Sequence, residues 1–214
     1  GKIYVISFRD THAVLGIDRD THQKKFMLSS VIPSVSTHLF ENDFEKFYAP
    51  HDVSYHENNT LCMMDDGVRR PQGGCTDDDV STCFSRAVCY YLDDEEKKAS
   101  LLWEFEYPDE NSAGKFNKTM MSEDVFNLNG GSLRKWGEKK WVVAFTSIMY
   151  DKPFNHSAWV FDIHETEKGL IEIDSIIRLP KSQNWATSQG TSGSYRATPL
   201  ESINGEYSVN GGDE

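Results

Sequence analysis

No stretch of this sequence approaches the roughly 18 consecutive apolar residues that a membrane-spanning helix needs. The opening GKIYVISFRD has neither the basic nor the apolar region of a secretory leader. Basic side chains are the minority: 22 Lys and Arg face 34 Asp and Glu, a net charge of −12. That balance argues against a broad nucleic-acid footprint or a polybasic membrane patch, either of which needs clustered Lys and Arg. Cysteine is scarce, with four residues, and Cys62, Cys75, Cys83 and Cys89 follow no CxxC or Cys/His spacing, so zinc is not expected. The sequence also lacks a Ser nucleophile elbow, a phosphate-cradling Gly loop, HExxH and any long helical periodicity. No cofactor is implied.

What is present is aromatic and alternating. Twelve Phe, nine Tyr and five Trp in a chain that is 38% hydrophobic and 26% charged exclude disorder and supply a sizeable core. Short alternating runs separated by turn clusters predict an all-β fold, either a β-propeller-like ring or a β-sandwich. Strands are expected at residues 2–8 and at AVLGID, followed by a turn at RDTHQ. DVSYH and LCMMD flank ENNT, a hairpin whose Asn-rich turn tolerates positive φ. RAVCYYL and SLLWEFEY form a further pair around DDEEKKA, with Leu101, Trp103, Phe105 and Tyr107 alternating with Leu102, Glu104 and Glu106, one face buried and the other solvated. PDENSAGKFNKTMMSED reads as loop, NLNGGSLRKWGEKKWVVAFTSIMY resumes the β pattern, and SAWVFDIHE pairs with GLIEIDSIIRLP. SYRATPLESI is the last strand candidate. Residues 1–203 are assigned to one domain, and 204–214 to a polar, Gly-rich disordered tail.

GIDRDTHQK, YLDDEEKKA and DIHETEKGL repeat one rhythm of strand, acidic turn and strand, as propeller blades do. At about 40–50 residues per blade the chain supplies four or five. The acidic runs Asp77–Asp79 and Asp93–Glu96 lack the Gly-punctuated spacing of a calcium loop and read as solvated turns. Cys75 and Cys83 bracket GGCTDDDVSTC, which allows either a disulfide staple or two free thiols. Together with sequons at Asn58, Asn117 and Asn155 they tilt the reading slightly toward a secreted or secretory-pathway protein without settling it.

Polar side chains fall at strand ends in four places: Arg9 in SFRDTH, His51 in APHDVSYH, Arg86 in FSRAVCYYL and Arg196 in GSYRATPL. In a propeller such ends gather around a channel. Each residue alone is compatible with a structural role.

The ordered run PHDVSYHENNTLCMMDDG, a variable loop, and SRAVCYYLDDEEKKASLLWEFEYP resembles the arylsulfotransferases that use aryl sulfate esters rather than a nucleotide sulfate donor. GKIYVISFRDTHAVLGIDRDT is similar to that family's preceding segment, and together these cover about half the chain. The resemblance implies a six-bladed propeller, of which this chain would be a partial ring that starts, without Met, inside a longer protein. It also implies an aryl sulfate donor and a phenolic acceptor as small-molecule partners. By position His51 is similar to a channel histidine of the family and Arg86 to its active-site arginine, while Arg9 and Arg196 would bind substrate.

Sulfuryl transfer between phenols needs in-line positioning, neutralised equatorial oxygens and proton management, for which Arg and His are suited. The family's nucleophilic histidine position appears here as Ser194, which opens an alternative: a non-catalytic scaffold that binds a small anion or a protein. His156 in FNHSAW, expected in a loop, is a weak substitute.

Overall fold

Three separate runs of alternating sequence form three antiparallel meanders, in chain order. The computed structural model describes residues 2–71, 75–76, 83–106, 130–146, 156–180 and 197. β1 (Ile3–Phe8), β2 (Ala13–Asp18) and β3 (Lys24–Ser29) make the first sheet. The second is built from β4 (Leu39–Phe40), β5 (Pro50–His56), β6 (Thr60–Asp65), β7 (Arg86–Asp93) and β8 (Lys98–Glu106), in the order β4-β8-β7-β6-β5. Only the short β4 runs parallel to its neighbour, β8. The third sheet orders β9 (Ser132–Lys135), β10 (Lys140–Thr146), β11 (His156–Glu165) and β12 (Ile171–Pro180) as β12-β11-β10-β9. The described helical turns are single 3-10 turns at Pro33–Val35 and Asp43–Glu45. None of the described helices is long and apolar enough to cross a membrane.

The second sheet is buried on both faces. Leu61, Met63, Val88, Tyr90, Leu92 and Ala99 pack against Val14, Phe26 and Leu28 of the first sheet. Cys62, Met64, Ala87, Cys89, Trp103 and Phe105 pack against Trp141, Val143, Phe145, Trp159 and Phe161 of the third. Because strand side chains alternate in direction, consecutive apolar residues such as Leu61-Cys62-Met63-Met64 feed both cores. Each fully buried Leu or Phe contributes about 1.5–3 kcal/mol. Three sheets stacked in series make an all-β fold of the partial, propeller-like kind. Among the described residues no barrel closes.

The strand pairs expected from the sequence form, and Asn58 and Asn59 of the β5–β6 turn both take positive φ, 56° and 54°. The structure corrects the expected faces of β8. Cys89 pairs with Trp103 while Tyr90 pairs with Leu101, so Leu102 is the extra residue of a β-bulge. The bulge reverses the alternation: Leu101 joins the core shared with the first sheet, and Trp103 and Phe105 turn to the third. β3 was not foreseen, because its opening Lys24 and Lys25 are exposed and mask the buried Phe26 and Leu28. His156 opens a strand and not a loop. Cys75 is disulfide-bonded to Cys83, and Cys62, directly opposite Cys89 across β6 and β7, forms a second disulfide. The strand candidate SYRATPLESI, except for Ala197, and the 204–214 tail lie outside the described residues.

Candidate functional site

The meanders share one polar end. The β1–β2 corner, the start of β5, the end of β6, the start of β7 and the start of β9 all meet there. His12 bonds the backbone of Ala49, and Asp52 bonds the backbone of Leu133, which ties the first sheet to the second and the second to the third. Arg9, His51 and Arg86 therefore occupy the same end of the stack. Arg196 and Ser194 lie outside the described residues. Their neighbour Ala197 donates its N–H to Ser132 Oγ (2.9 Å), and Ser132 Oγ donates to the Ala197 carbonyl (3.0 Å), at the first residue of β9.

At the centre of this end lies an aspartate that the sequence reading did not single out. Asp65, the last residue of β6, has no solvent exposure. It accepts from the N–H groups of Tyr48 (2.8 Å) and Gly67 (3.1 Å), from Arg70 Nη2 (2.5 Å) and from Arg86 Nε (2.9 Å). Burial alone would raise its pKa, but Arg70 and Arg86 overcome that and hold the carboxyl below its ordinary value. Gly67 is required at the following turn: its φ is +75°, and a Cβ there would lie 1.9 Å from the Phe84 carbonyl oxygen.

Arg86 begins β7 and is 3% exposed. Besides Asp65 it donates through Nη1 to Glu104 (2.7 Å) and through Nη2 to the carbonyls of Phe44 (3.2 Å) and Lys46 (2.9 Å). Its fork therefore clasps the 44–46 segment onto the sheet, and Tyr90 helps by donating to the Glu45 carbonyl (2.6 Å). Arg70 adds a bond to the Lys46 carbonyl (3.0 Å) and stacks over Phe84, 4.4 Å from the ring centre. Burial opposes the charge of Arg86, but Asp65 outweighs it and leaves the guanidinium firmly protonated.

His51 sits nearer the surface, with its side chain 14% exposed. Its Nε2 lies 3.1 Å from Oδ2 of the buried Asp66. Asp66 in turn is fixed by its main chain, whose carbonyl accepts from Ser85 Oγ (2.8 Å). Directly after His51 the ladder slips, and Asp52 takes a positive φ of 49°. This bulge turns Asp52 toward the third sheet, where it accepts from the Leu133 N–H (3.1 Å) and from Arg134 Nη2. Arg9 stands at the β1–β2 corner and pairs with Asp10 (2.8 Å). Among the described residues no group of three His, Cys, Asp or Glu side chains converges to hold a metal ion.

The arylsulfotransferase (ASST) family model matches residues 2–124, more than half of the chain. The protein belongs to the arylsulfotransferase family. The match spans the first sheet and the second, and hence every residue of the Asp65 cluster as well as His51, Asp66 and Arg9. The third sheet of this arylsulfotransferase-family chain lies beyond it. No curated protein matches the chain.

The carboxylates that organise the site carried one legible signal. Asp65 and Asp66 directly follow the apolar run Leu61–Met64, so the strand that buries the run carries two acids below the surface with it. Buried acids call for cationic partners.

Proposed function

We propose that the shared end of the sheets is a sulfate ester site, at which the protein transfers a sulfuryl group from an aryl sulfate to a phenolic acceptor without a nucleotide donor. The observation that supports it most is the His51–Asp66 pair at 3.1 Å, a partly exposed imidazole against a buried carboxylate, in a chain of this family and at the same strand ends as Arg9. In the reaction the acceptor's phenolic oxygen attacks sulfur as the S–O bond to the donor phenol breaks. The acceptor proton passes to His51, and the departing phenolate leaves as the anion; His51 gives its proton up to water, from which the phenolate is protonated. Asp66 orients the imidazole and stabilises it when protonated. Arg9 and Arg196 are assigned to the equatorial sulfuryl oxygens, whose charge a guanidinium fork neutralises. Arg86, with its fork filled, holds Asp65 and the 44–46 segment in place; contact with a sulfuryl oxygen would require Glu104 to leave.

That filled fork also favours a second reading, an anion-binding scaffold without turnover. The two separate in one assay. With 4-nitrophenyl sulfate and a phenol acceptor, acceptor-dependent nitrophenol release should fall by about 100-fold or more in His51→Ala. No acceptor-dependent release from the wild type, or release indifferent to His51→Ala, overturns the catalytic reading.

A further inference from the structure

His12 plays no part in the scheme above, yet it is held as tightly as any residue of the site. Its backbone is left-handed, with φ 48°, a conformation that a non-glycine residue adopts only when its surroundings insist. The Arg9 carbonyl accepts its N–H (3.2 Å), and its own carbonyl accepts the Ser30 N–H (3.1 Å). The ring is 7% exposed and meets Tyr48 edge-on at 5.4 Å.

The decisive contact is at Nδ1, which accepts the backbone N–H of Ala49 at 2.9 Å. An amide N–H can only donate, so Nδ1 must present its lone pair and cannot also carry a proton. The tautomer is therefore fixed with the proton on Nε2, and the ring cannot become imidazolium without losing this bond. Burial first and the positive charge of Arg69 next, with Arg9 adding to them, outweigh the opposing carboxylates of Asp65 and Asp10 and hold His12 below its ordinary pKa. A neutral imidazole with a fixed Nε2–H is a pure donor at neutral pH. Among the described residues Nε2 has no hydrogen-bond partner in the protein.

We propose that His12 is a binding residue of the strand-end site, a neutral Nε2–H donor to a sulfuryl oxygen, set between the cationic groups of Arg9 and Arg69. It deepens the sulfate ester reading and rests on it. Arg69, on the exposed turn after β6 with φ 63°, supplies charge from the second sheet as Arg9 does from the first. A fixed donor between two cations suits a tetrahedral monoester, whose oxygens are acceptors only.

The test uses inorganic sulfate as the probe and is read by calorimetric titration, apart from any turnover. His12→Asn is the informative variant: its Oδ1 can still accept the Ala49 N–H and Asn tolerates positive φ, while the Nε2–H is lost together with the ring's edge contact to Tyr48. Sulfate affinity should fall by about tenfold or more, with the melting temperature nearly unchanged. Equal affinity in wild type and His12→Asn overturns the proposal while leaving the sulfuryl-transfer reading intact. Sulfate binding without transfer overturns that reading and leaves His12 in place; no binding by the wild type overturns both. Should His12→Asn not fold, long-range 1H–15N spectra of the wild-type histidines decide. They should show His12 protonated on Nε2, with that resonance moving on sulfate addition, and an unmoved resonance or the opposite tautomer overturns the proposal.

Discussion

Arg86 Nε lies 2.9 Å from Asp65 Oδ2, joining two strand ends that are 21 residues apart in the chain and withdrawn from solvent. The attraction between them is offset by the desolvation of both charges, so the pair specifies the arrangement more than it stabilises it. Removing one member is another matter.

Arg86→Met leaves Asp65 short of a cation and the Phe44 and Lys46 carbonyls without a donor. The expected loss is about 3–5 kcal/mol of unfolding free energy, a fall in Tm of roughly 6–20 °C. Urea titration of the two proteins measures it, and a loss below about 1 kcal/mol would mean that the clasp is dispensable.

Acid should destabilise the protein in two stages. The pKa values of His12, His38 and His56 are all lowered, in each case first by burial, with Arg69, Lys97 and Lys135 respectively the cations that add to it. A depressed histidine contributes stability that is complete above 6.5 and lost as pH falls toward its folded value. Asp65 is depressed as well, so its contribution is complete above 3.8 and disappears at lower pH. His56 packs edge-on against Trp141 at 5.3 Å. His56→Phe keeps that packing and removes the ionisation, and the slope of stability between pH 6.5 and 5 should become shallower. An unchanged slope in denaturant titrations across that range would count against the assignment.

The two disulfides should differ in weight. Cys62–Cys89 closes a 27-residue separation inside the core, whereas Cys75–Cys83 closes 8. Loop-closure entropy then favours the former, which should contribute about 3–4 kcal/mol against somewhat less for the latter. Non-reducing peptide mapping should recover both pairs, and Cys62→Ala/Cys89→Ala should be the less stable of the two double variants. The reverse order would show that the core pair is strained or redundant.

The alternation at the start of β1 and along β11 from Trp159 to His164 was legible because it is the half-buried pattern that period-two reading detects. β8 was not, since one extra residue at Leu102 resets the period in mid-strand, and no local composition marks the place. The site was legible only in part. His51 and Arg9 announce themselves as polar residues at strand ends. Asp66 and Asp65 look like an ordinary acidic turn until β7 brings Ser85 and Arg86 against them, and His12 looks like a corner residue until Ala49 arrives from 37 positions away. Contacts of that range are set by how sheets stack, which a linear pattern does not encode.

The bulge at Leu102 also limits how the gene can change. Hairpin turns such as Glu57–Asn59 lie outside the sheets and can gain or lose residues with little effect on what lies beneath. Within β8 the count itself carries information: one codon fewer between Trp103 and Phe105 would make them neighbours on opposite faces and send one of the two into the wrong core. Length variation among relatives of this chain should therefore collect in the turns and spare this strand.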